Sequence, residues 1–295
     1  MQRRTFLKTG LLTSAGLAAS PQRMMARATA LGKRSRKKAC SQPFFFIQYA
    51  DPQFGFIDSE GHTVEAEERL FGQTVDIINR LHPPFVIATG DYYHHRMDVM
   101  EAEAYVKLMQ RIAPDIKVWS VPGNHDIQST KAEDVAFYRK YIGEDHFYFT
   151  HEGCAFIGIN SNLIRMPGSS EEATQWEWLV ARLQEAQRFR FIFVVQHISL
   201  FNTDADEPEA WCNIEPRQRE KYLQLYDEYG VNAVLCGHRH KPLTGKYGSG
   251  MDMITCGSTG RQLGGFEGMN LLCIHPDRYE IQYKGLDNFP KAIIL

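Results

Sequence analysis

Short apolar segments alternate with longer amphipathic ones along the chain, and this alternation limits the fold more than any other feature. A run such as residues 44–50 (FFFIQYA) predicts a strand. Residues 64–81 predict a helix, because apolar side chains recur there every three or four positions. In the first half, predicted strands alternate with predicted helices. The strands are at residues 44–50, 85–89 and 117–121, and each is followed by a helix, at residues 64–81, 98–113 and 132–142 respectively.

The second half continues the pattern and then becomes rich in strands. The neighbouring runs 146–153 and 154–161 predict an antiparallel pair of strands. Helix–strand pairs follow at 171–187 and 191–196, and at 216–230 and 232–236, and residues 251–285 are predicted to be strand throughout. We therefore expect an α/β fold in which two mixed β-sheets pack together with helices outside, a four-layer αββα sandwich. With 295 residues and 43% hydrophobic content, the chain is large enough for one such domain.

The N-terminus differs from the rest and resembles a bacterial twin-arginine export signal. Arg3 and Arg4 precede a short, weakly apolar stretch at about residues 10–19, and small residues at 28–30 suit a cleavage site. The alternatives are a membrane anchor or a basic tail, but the apolar stretch is about half the ~20 residues that a spanning helix needs. The resemblance implies a signal peptide at residues 1–30 and export through the twin-arginine translocase to the periplasm, with no permanent membrane span.

The charge distribution argues against a nucleic-acid partner. Residues 1–50 contain ten of the 33 Lys and Arg residues and no acid, whereas the remaining chain carries 23 basic and 35 acidic residues. A nucleic-acid-binding domain places its positive charge on the folded body. We therefore divide the chain into the signal, a basic flexible leader at residues 31–42, and one domain at residues 43–295. The sequence does not indicate an oligomeric state.

Five predicted strands are each followed by polar side chains that can bind a cation. These side chains are Asp51 and Gln53 after the first strand, Asp91 after the second, Asn124 and His125 after the third, and then His197, His238 and His240. In open α/β sheets the carboxyl ends of the strands share one edge, where ligands bind. Each signal alone is weak, because a lone Gly-Asp is usually a turn and a lone histidine is usually hydrogen-bonded in a core. Together they predict one site at the strand ends.

The side-chain types of this set point to transition-metal chemistry. Carboxylates, an amide oxygen and three or more imidazoles form a mixed nitrogen and oxygen set for divalent or trivalent ions such as Mn, Fe or Zn. The set is too large for one ion, and a carboxylate such as Asp91 could bridge two ions ~3.5–4 Å apart. The absence of thiolates from the set argues against a structural zinc site. Two such ions would clamp a phosphoryl group and generate a hydroxide that attacks phosphorus in line.

The sequence blocks that contain these residues resemble the motifs of a known enzyme family. The blocks around residues 51, 91, 124, 197 and 238 are similar to the D-x-H, GD, GNH-D/E, H and GH-x-H pattern of calcineurin-like metallophosphoesterases. DPQFG, GNHDI, QHISLF and GRQLG resemble the subfamily of calcineurin-like phosphoesterase domain-containing protein phosphatases. The resemblance covers most of residues 44–284.

The resemblance implies a role for each residue of the set. Asp51, Gln53, Asp91 and His240 would hold the first metal ion, and Asp91, Asn124, His197 and His238 would hold the second. His125 would act as the acid beside the leaving group. His94 and Arg239 are candidate substrate contacts. We interpret Asp126 as a hydrogen-bond acceptor that fixes its loop, and His95 and Arg96 as part of a solvated loop.

The chain departs from the family pattern at two of these positions. Gln53 stands where many relatives have His, so the first ion would have a weaker ligand there. His94 stands where many have the Asp or Asn that supports the catalytic His. Either His94 takes this supporting role or the support is absent.

The expected function is metal-dependent hydrolysis of phosphomonoesters, and the subfamily suggests phosphoserine and phosphothreonine. The alternatives are a phosphodiesterase or nucleotide hydrolase using the same metals, and a non-catalytic metal- or phosphate-binding protein. Residues 201–216 form an acidic segment that we expect to border the cleft. Its acids would argue against a polyanionic substrate such as nucleic acid.

Overall fold

The computed structural model describes residues 40–128 and 131–295, which form eleven strands and five α-helices. The predicted signal at residues 1–30 lies outside the described residues, as does the leader up to residue 39. The strands are β1 (Phe44–Tyr49), β2 (Phe85–Ala88), β3 (Lys117–Ser120), β4 (Phe147–His151), β5 (Cys154–Gly158), β6 (Phe191–Val195), β7 (Ala233–Cys236), β8 (Leu243–Tyr247), β9 (Met251–Thr255), β10 (Gly268–Ile274) and β11 (Tyr279–Gly285). The helices are α1 (Glu65–Leu81), α2 (Val99–Met109), α3 (Ala132–Tyr141), α4 (Ser170–Ala186) and α5 (Pro216–Tyr229). Within this part of the chain, none of the helices is long and apolar enough to span a membrane.

The strands form two mixed sheets. The first has the order β11-β10-β1-β2-β3, with β1, β2 and β3 parallel and β10 antiparallel to both of its neighbours. The second has the order β4-β5-β6-β7-β9-β8, with a parallel centre and an antiparallel strand at each edge. The antiparallel pair predicted at residues 146–161 is confirmed as β4 and β5.

Aromatic side chains fill the space between the two sheets. Phe46 of β1 and Phe85 of β2 stack with ring centroids 5.0 Å apart, and Phe156 of β5 stacks on Phe193 of β6 at 5.2 Å. Phe46 meets Phe156 edge to face at 5.4 Å, which joins the sheets. Since side chains alternate along a strand, the residues between these phenylalanines face outward toward the helices.

The helices cover the outer faces of both sheets. The first sheet packs against α1, α2 and α3, with Phe71 and Ile78 of α1 fully buried. The second packs against α4 and α5 through side chains such as Leu183 and Tyr226. Helix α5 begins at Pro216 and ends at Tyr229, and Gly230 caps it in the left-handed conformation, in agreement with the glycine that the sequence places at the helix end. The predicted four-layer αββα sandwich is confirmed.

Three local expectations were wrong. Helix α2 stops at Met109 rather than residue 113, because the chain then tightens, with the N–H groups of Arg111 and Ile112 donating to carbonyls three residues back. The predicted continuous strand over 251–285 is interrupted by a glycine-rich loop at 256–267. Strand β8, an edge strand, was missed because its sequence (LTGKY) lacks the apolar alternation that marks a strand.

Candidate metal centre

The loops that follow β1, β2, β3, β6 and β7 meet at one edge of the sandwich, so the predicted convergence occurs. It involves both sheets, because β1–β3 belong to one sheet and β6 and β7 to the other. Within the first sheet, the Asp51 N–H donates to Gly90 O at 3.0 Å. Between the sheets, the His238 backbone N–H donates to the Asp51 carboxylate at 3.0–3.1 Å. The site is therefore built on a seam between the two sheets.

Two groups of metal-binding side chains lie at this seam and share one member. The ligand atoms of Asp51, Asp91 and His240 lie within 4.8 Å of one another, and so do those of Asp91, His197 and His238. His240 Nε2 lies 3.4 Å from Asp51 Oδ1, and His197 Nε2 lies 3.1 Å from Asp91 Oδ2. All five side chains are buried. The shared Asp91 is what a carboxylate bridging two ions requires.

Two amide side chains complete the set. Asn124 Oδ1 lies 3.1 Å from His197 Nε2, on the Asp91–His197–His238 side. Gln53 is 2% exposed, and its Oε1 has no hydrogen-bond partner among the described residues. Since a buried polar atom without a partner is costly, this oxygen is suited to a cation.

The ligand-bearing residues adopt unusual backbone conformations. Asp51, Gln53, Asp91, His238 and His240 have φ values of 51°, 36°, 54°, 74° and 48°. Left-handed backbone at a residue other than glycine costs on the order of 1 kcal/mol or more and concentrates at functional sites. Five such residues converging here therefore indicate that the loops are shaped for their side chains rather than for stability.

Asp126 and Gly123 hold the Asp91 loop against the Asn124 loop. Asp126 Oδ2 accepts the N–H groups of Asp91 and Gly123 at 2.7 Å each, and Oδ1 accepts that of Tyr92 at 2.8 Å. The interpretation of Asp126 as a loop-fixing acceptor is confirmed. Any side chain at Gly123 would overlap Asp91 Oδ1, so glycine is required for this close approach.

Backbone carbonyls orient the imidazoles, and sequence reasoning missed them. His197 Nδ1 donates to Thr89 O at 2.7 Å, and His240 Nδ1 donates to Arg261 O at 2.5 Å. His238 Nε2 lies 3.3 Å from Trp211 O. A carbonyl can only accept, so each bond fixes one ring N–H and leaves the other nitrogen available to a metal. Since every residue has a carbonyl, the sequence carried no signal for these contacts.

His125 is placed beside the two ligand groups. Its backbone N–H donates to Asp91 Oδ1 at 2.8 Å, and its ring Nδ1 donates to His94 O at 2.7 Å. The His94 ring stacks on that of His125 at 4.8 Å and contacts Gln53 Nε2 through Nδ1 at 3.2 Å. Of the two alternatives for His94, the geometry favours support of His125, and this support comes through the His94 backbone carbonyl rather than its ring.

The electrostatics of the centre favour a cation. Burial opposes ionisation of Asp91, yet the nearby His197 imidazole keeps the pKa of this carboxyl well below its usual range. Burial likewise opposes protonation of His197, but Asp91 raises its pKa to about 9. Burial, with the neighbouring His197, lowers the pKa of His238 to about 3, which keeps that ring neutral and able to ligate.

Arg239 lies at the rim of the site, whereas Arg96 and His95 contact carboxylates away from it. The Arg239 guanidinium lies 5.2 Å from the Trp211 ring centre, and its Nε is buried without a partner among the described residues. Arg96 pairs with Glu133 at 2.6 Å and Asp134 at 2.5 Å. His95 Nδ1 lies 2.5 Å from Glu101 Oε1, and neither residue belongs to the two ligand groups at the seam.

Segment 201–216 borders the metal centre, as expected, through Trp211, whose ring lies 5.3 Å from that of His238. Glu207 of this segment accepts hydrogen bonds from Asn202 and Asn213 at 2.7 Å each. This acid is therefore engaged within its own segment.

Comparisons with known proteins agree with this geometry. Residues 46–242 match the family model described as calcineurin-like phosphoesterase. Relatives include the serine/threonine-protein phosphatase CPPED1 of Bos taurus, 30% identical and covering 83% of this chain and 84% of the relative. The Danio rerio protein of the same name is 31% identical, with 85% and 87% covered.

Solved structures share the fold at low sequence identity. A dimetal phosphatase from Danio rerio aligns with a TM-score of 0.60 and 14% identity, covering 82% of this chain and 96% of that one. The purple acid phosphatase PPD1 from yellow lupin aligns at 0.62 and 14%, covering 84% of this chain and 52% of that one.

Proposed function

Because the chain belongs to the calcineurin-like phosphoesterase family, and is therefore a metal-dependent phosphoester hydrolase, we propose that its substrates are phosphomonoesters, specifically phosphoserine and phosphothreonine in peptides or proteins. The relatives that carry the name serine/threonine-protein phosphatase support the substrate class, since they align over 83–95% of this chain. The structural observation that carries the hydrolytic activity is the position of Asp91 in both ligand groups, because a shared carboxylate can hold two ions together.

The enzyme uses two metal ions, and the residues at the seam fit them. The donors are carboxylate and amide oxygens with imidazole nitrogens, and the buried Gln53 Oε1 lacks any other partner among the described residues. We assign the ligands in two sets, Asp51, Gln53, Asp91 and His240 for the first ion, and Asp91, Asn124, His197 and His238 for the second. When bound, such ions polarise phosphoryl oxygens and lower the pKa of a water molecule to about 7.

His125 is suited to protonate the leaving group. Its Nδ1–H is committed to the His94 carbonyl, so a proton available to substrate resides on Nε2. As the phosphorus–oxygen bond to the substrate breaks, this proton passes to the departing oxygen, which leaves as the serine or threonine hydroxyl. The neighbouring ring of His94 does not share the role, because burial, with the nearby His125, lowers the pKa of His94 to about 4.

The rim of the site suits a phosphate carried on a peptide. Trp211 is 61% exposed and Leu263 is 51% exposed, and they adjoin the ligands His238 and His240. Exposed apolar side chains beside a polar centre provide contact area for a macromolecular substrate. The guanidinium of Arg239, next to Trp211, is a donor for phosphate oxygens.

A phosphoester panel tests this function. The purified enzyme with Mn²⁺ should hydrolyse p-nitrophenyl phosphate and a phosphoserine peptide faster than bis(p-nitrophenyl) phosphate, with Asp91→Asn as the control for contaminating activity. Faster turnover of the diester would support the phosphodiesterase alternative. No turnover of any ester by metal-loaded protein would support a non-catalytic role.

We also propose that the protein is exported through the twin-arginine translocase to the periplasm. The support is the motif RRTFLK at residues 3–8, followed by a short apolar stretch. Changing Arg3 and Arg4 together to Lys should leave folded protein in the cytoplasm, as measured by cell fractionation against the unchanged chain. Equal export of both proteins would contradict the proposal.

A further inference from the structure

We propose that a third metal site, for a borderline divalent cation such as Zn²⁺, is formed by His62, His95 and Glu101, with Asp98 beside His62. The four residues come from three places: the loop before α1, the segment after β2, and the start of α2, where Asp98 is the N-cap. They are separate from the two ligand groups at the seam. This cluster, which we call the peripheral cluster, is independent of the proposed function.

The donor atoms of the peripheral cluster are spaced for one small ion. His62 Nε2 lies 2.9 Å from Asp98 Oδ2 and 3.8 Å from Glu101 Oε1, and His95 Nδ1 lies 2.5 Å from Glu101 Oε1. In a tetrahedral zinc site with bonds of about 2.0–2.2 Å, the donors are roughly 3.3–3.6 Å apart. The ligand atoms of His62, His95 and Glu101 lie within 4.8 Å of one another, so an ion between them requires side-chain adjustments but no movement of the backbone.

The two carboxylates are held so that each presents one oxygen to the histidines. Glu101 Oε2 accepts the backbone N–H groups of His94 and His95 at 2.9 and 2.8 Å, which leaves Oε1 facing the imidazoles. Asp98 Oδ1 accepts the Glu101 N–H at 3.0 Å and leaves Oδ2 for His62. Outer contacts of this kind orient metal ligands and maintain their charge.

Two backbone features keep the peripheral cluster open. Gly55 has a φ of 90°, and a Cβ at this position would overlap Glu101 Oε1. His62 has a φ of 52°, a left-handed conformation like that of the five ligand-bearing residues at the seam. The side chains of His62 and His95 are 51% and 42% exposed, which gives an ion access from solvent.

A simple hydrogen-bonded pair would look different. His82 and Asp115 form one at 2.8 Å, between one imidazole and one carboxylate that are both exposed. The peripheral cluster instead brings together two imidazoles and two carboxylates, and the Glu101 side chain has no exposed surface. The ligand atoms of His62, His95 and Glu101 lie within 4.8 Å of one another, and two imidazole nitrogens with a carboxylate oxygen form a set that suits zinc and related ions.

Zinc-binding measurements on the full chain test the site. Protein stripped with a chelator is dialysed against buffered Zn²⁺, and zinc per chain is measured by elemental analysis across a concentration series. His62→Ala should bind one zinc fewer per chain than wild type, or bind it at least tenfold more weakly. His82→Ala, which removes an equally exposed imidazole from a pair with a carboxylate, should match wild type.

A second substitution guards against a local folding effect. His95→Ala removes the other imidazole but keeps the backbone N–H that binds Glu101, and it should cause the same zinc loss. Unchanged thermal unfolding of the stripped variants shows that they are folded. Equal zinc stoichiometry and affinity in wild type, His62→Ala and His95→Ala would overturn the proposal. The readout is metal content, so failure of the phosphatase assignment would not affect it.

Discussion

Replacing His125 by alanine separates acid catalysis from metal binding, because the structure divides the two roles between side chain and backbone. The backbone N–H of His125 donates to Asp91 Oδ1 at 2.8 Å, and alanine retains this bond. The imidazole, which alanine removes, donates to the His94 carbonyl and belongs to neither ligand group. We therefore expect His125→Ala to keep both metal ions and to lose only the proton donor.

The expected magnitude depends on the leaving group. General acid catalysis is worth ~10²–10⁴-fold in rate, or about 3–5 kcal/mol of activation free energy. His125→Ala should lose about this much kcat with an alkyl phosphate or phosphoserine peptide, whose alkoxide leaving group needs the proton. The loss should be small with p-nitrophenyl phosphate, because its leaving oxygen is already a weak base.

The assay is steady-state hydrolysis of both substrates, with elemental analysis of each preparation. His94→Ala is the matched control, because it removes the stacked neighbouring ring but keeps the carbonyl that orients His125. This control should show little dependence on the leaving group. Equal losses of His125→Ala on both substrates would argue for a positioning role, and loss of an ion would mean that His125 is a ligand.

Three further substitutions probe the centre and the core. Asp91→Asn should lower the occupancy of both ions, since both ligand groups share this carboxylate, and two ions per chain in the purified variant would contradict the assignment. Gly123→Ala should reduce metal content and activity, because its new Cβ overlaps Asp91 Oδ1; wild-type values for both would refute this account of the close approach. Phe46→Ala should lower the free energy of unfolding by about 3–5 kcal/mol, because the ring is fully buried between the sheets. Urea denaturation measures this loss, and a change below about 1 kcal/mol would mean that the core collapses around the cavity.

The strands and helices that carry the centre were predictable because their signals are local. The run FFFIQYA before Asp51 and the run FVIAT before Asp91 are too short for helices and too apolar for loops. What the sequence could not supply depends on contacts between distant segments. Whether His94 supports His125 through its ring or its backbone is decided by a loop conformation. The peripheral cluster likewise joins His62 to a helix that begins more than 30 residues later.

The ligands of the metal centre follow the carboxyl ends of strands in two sheets rather than in one. This division between the sheets determines how the centre forms. Asp51 and Asp91 follow strands of one sheet, whereas His197 and His238 follow strands of the other. The sheets are tied near this seam by Gln48, whose Nε2 donates to Cys236 O at 2.9 Å. The first sheet alone would lack the imidazole ligands, and the second sheet alone would lack the carboxylate ligands. The complete ligand set therefore exists only when both sheets are docked, and the aromatic core that joins them is also part of what assembles the metal centre.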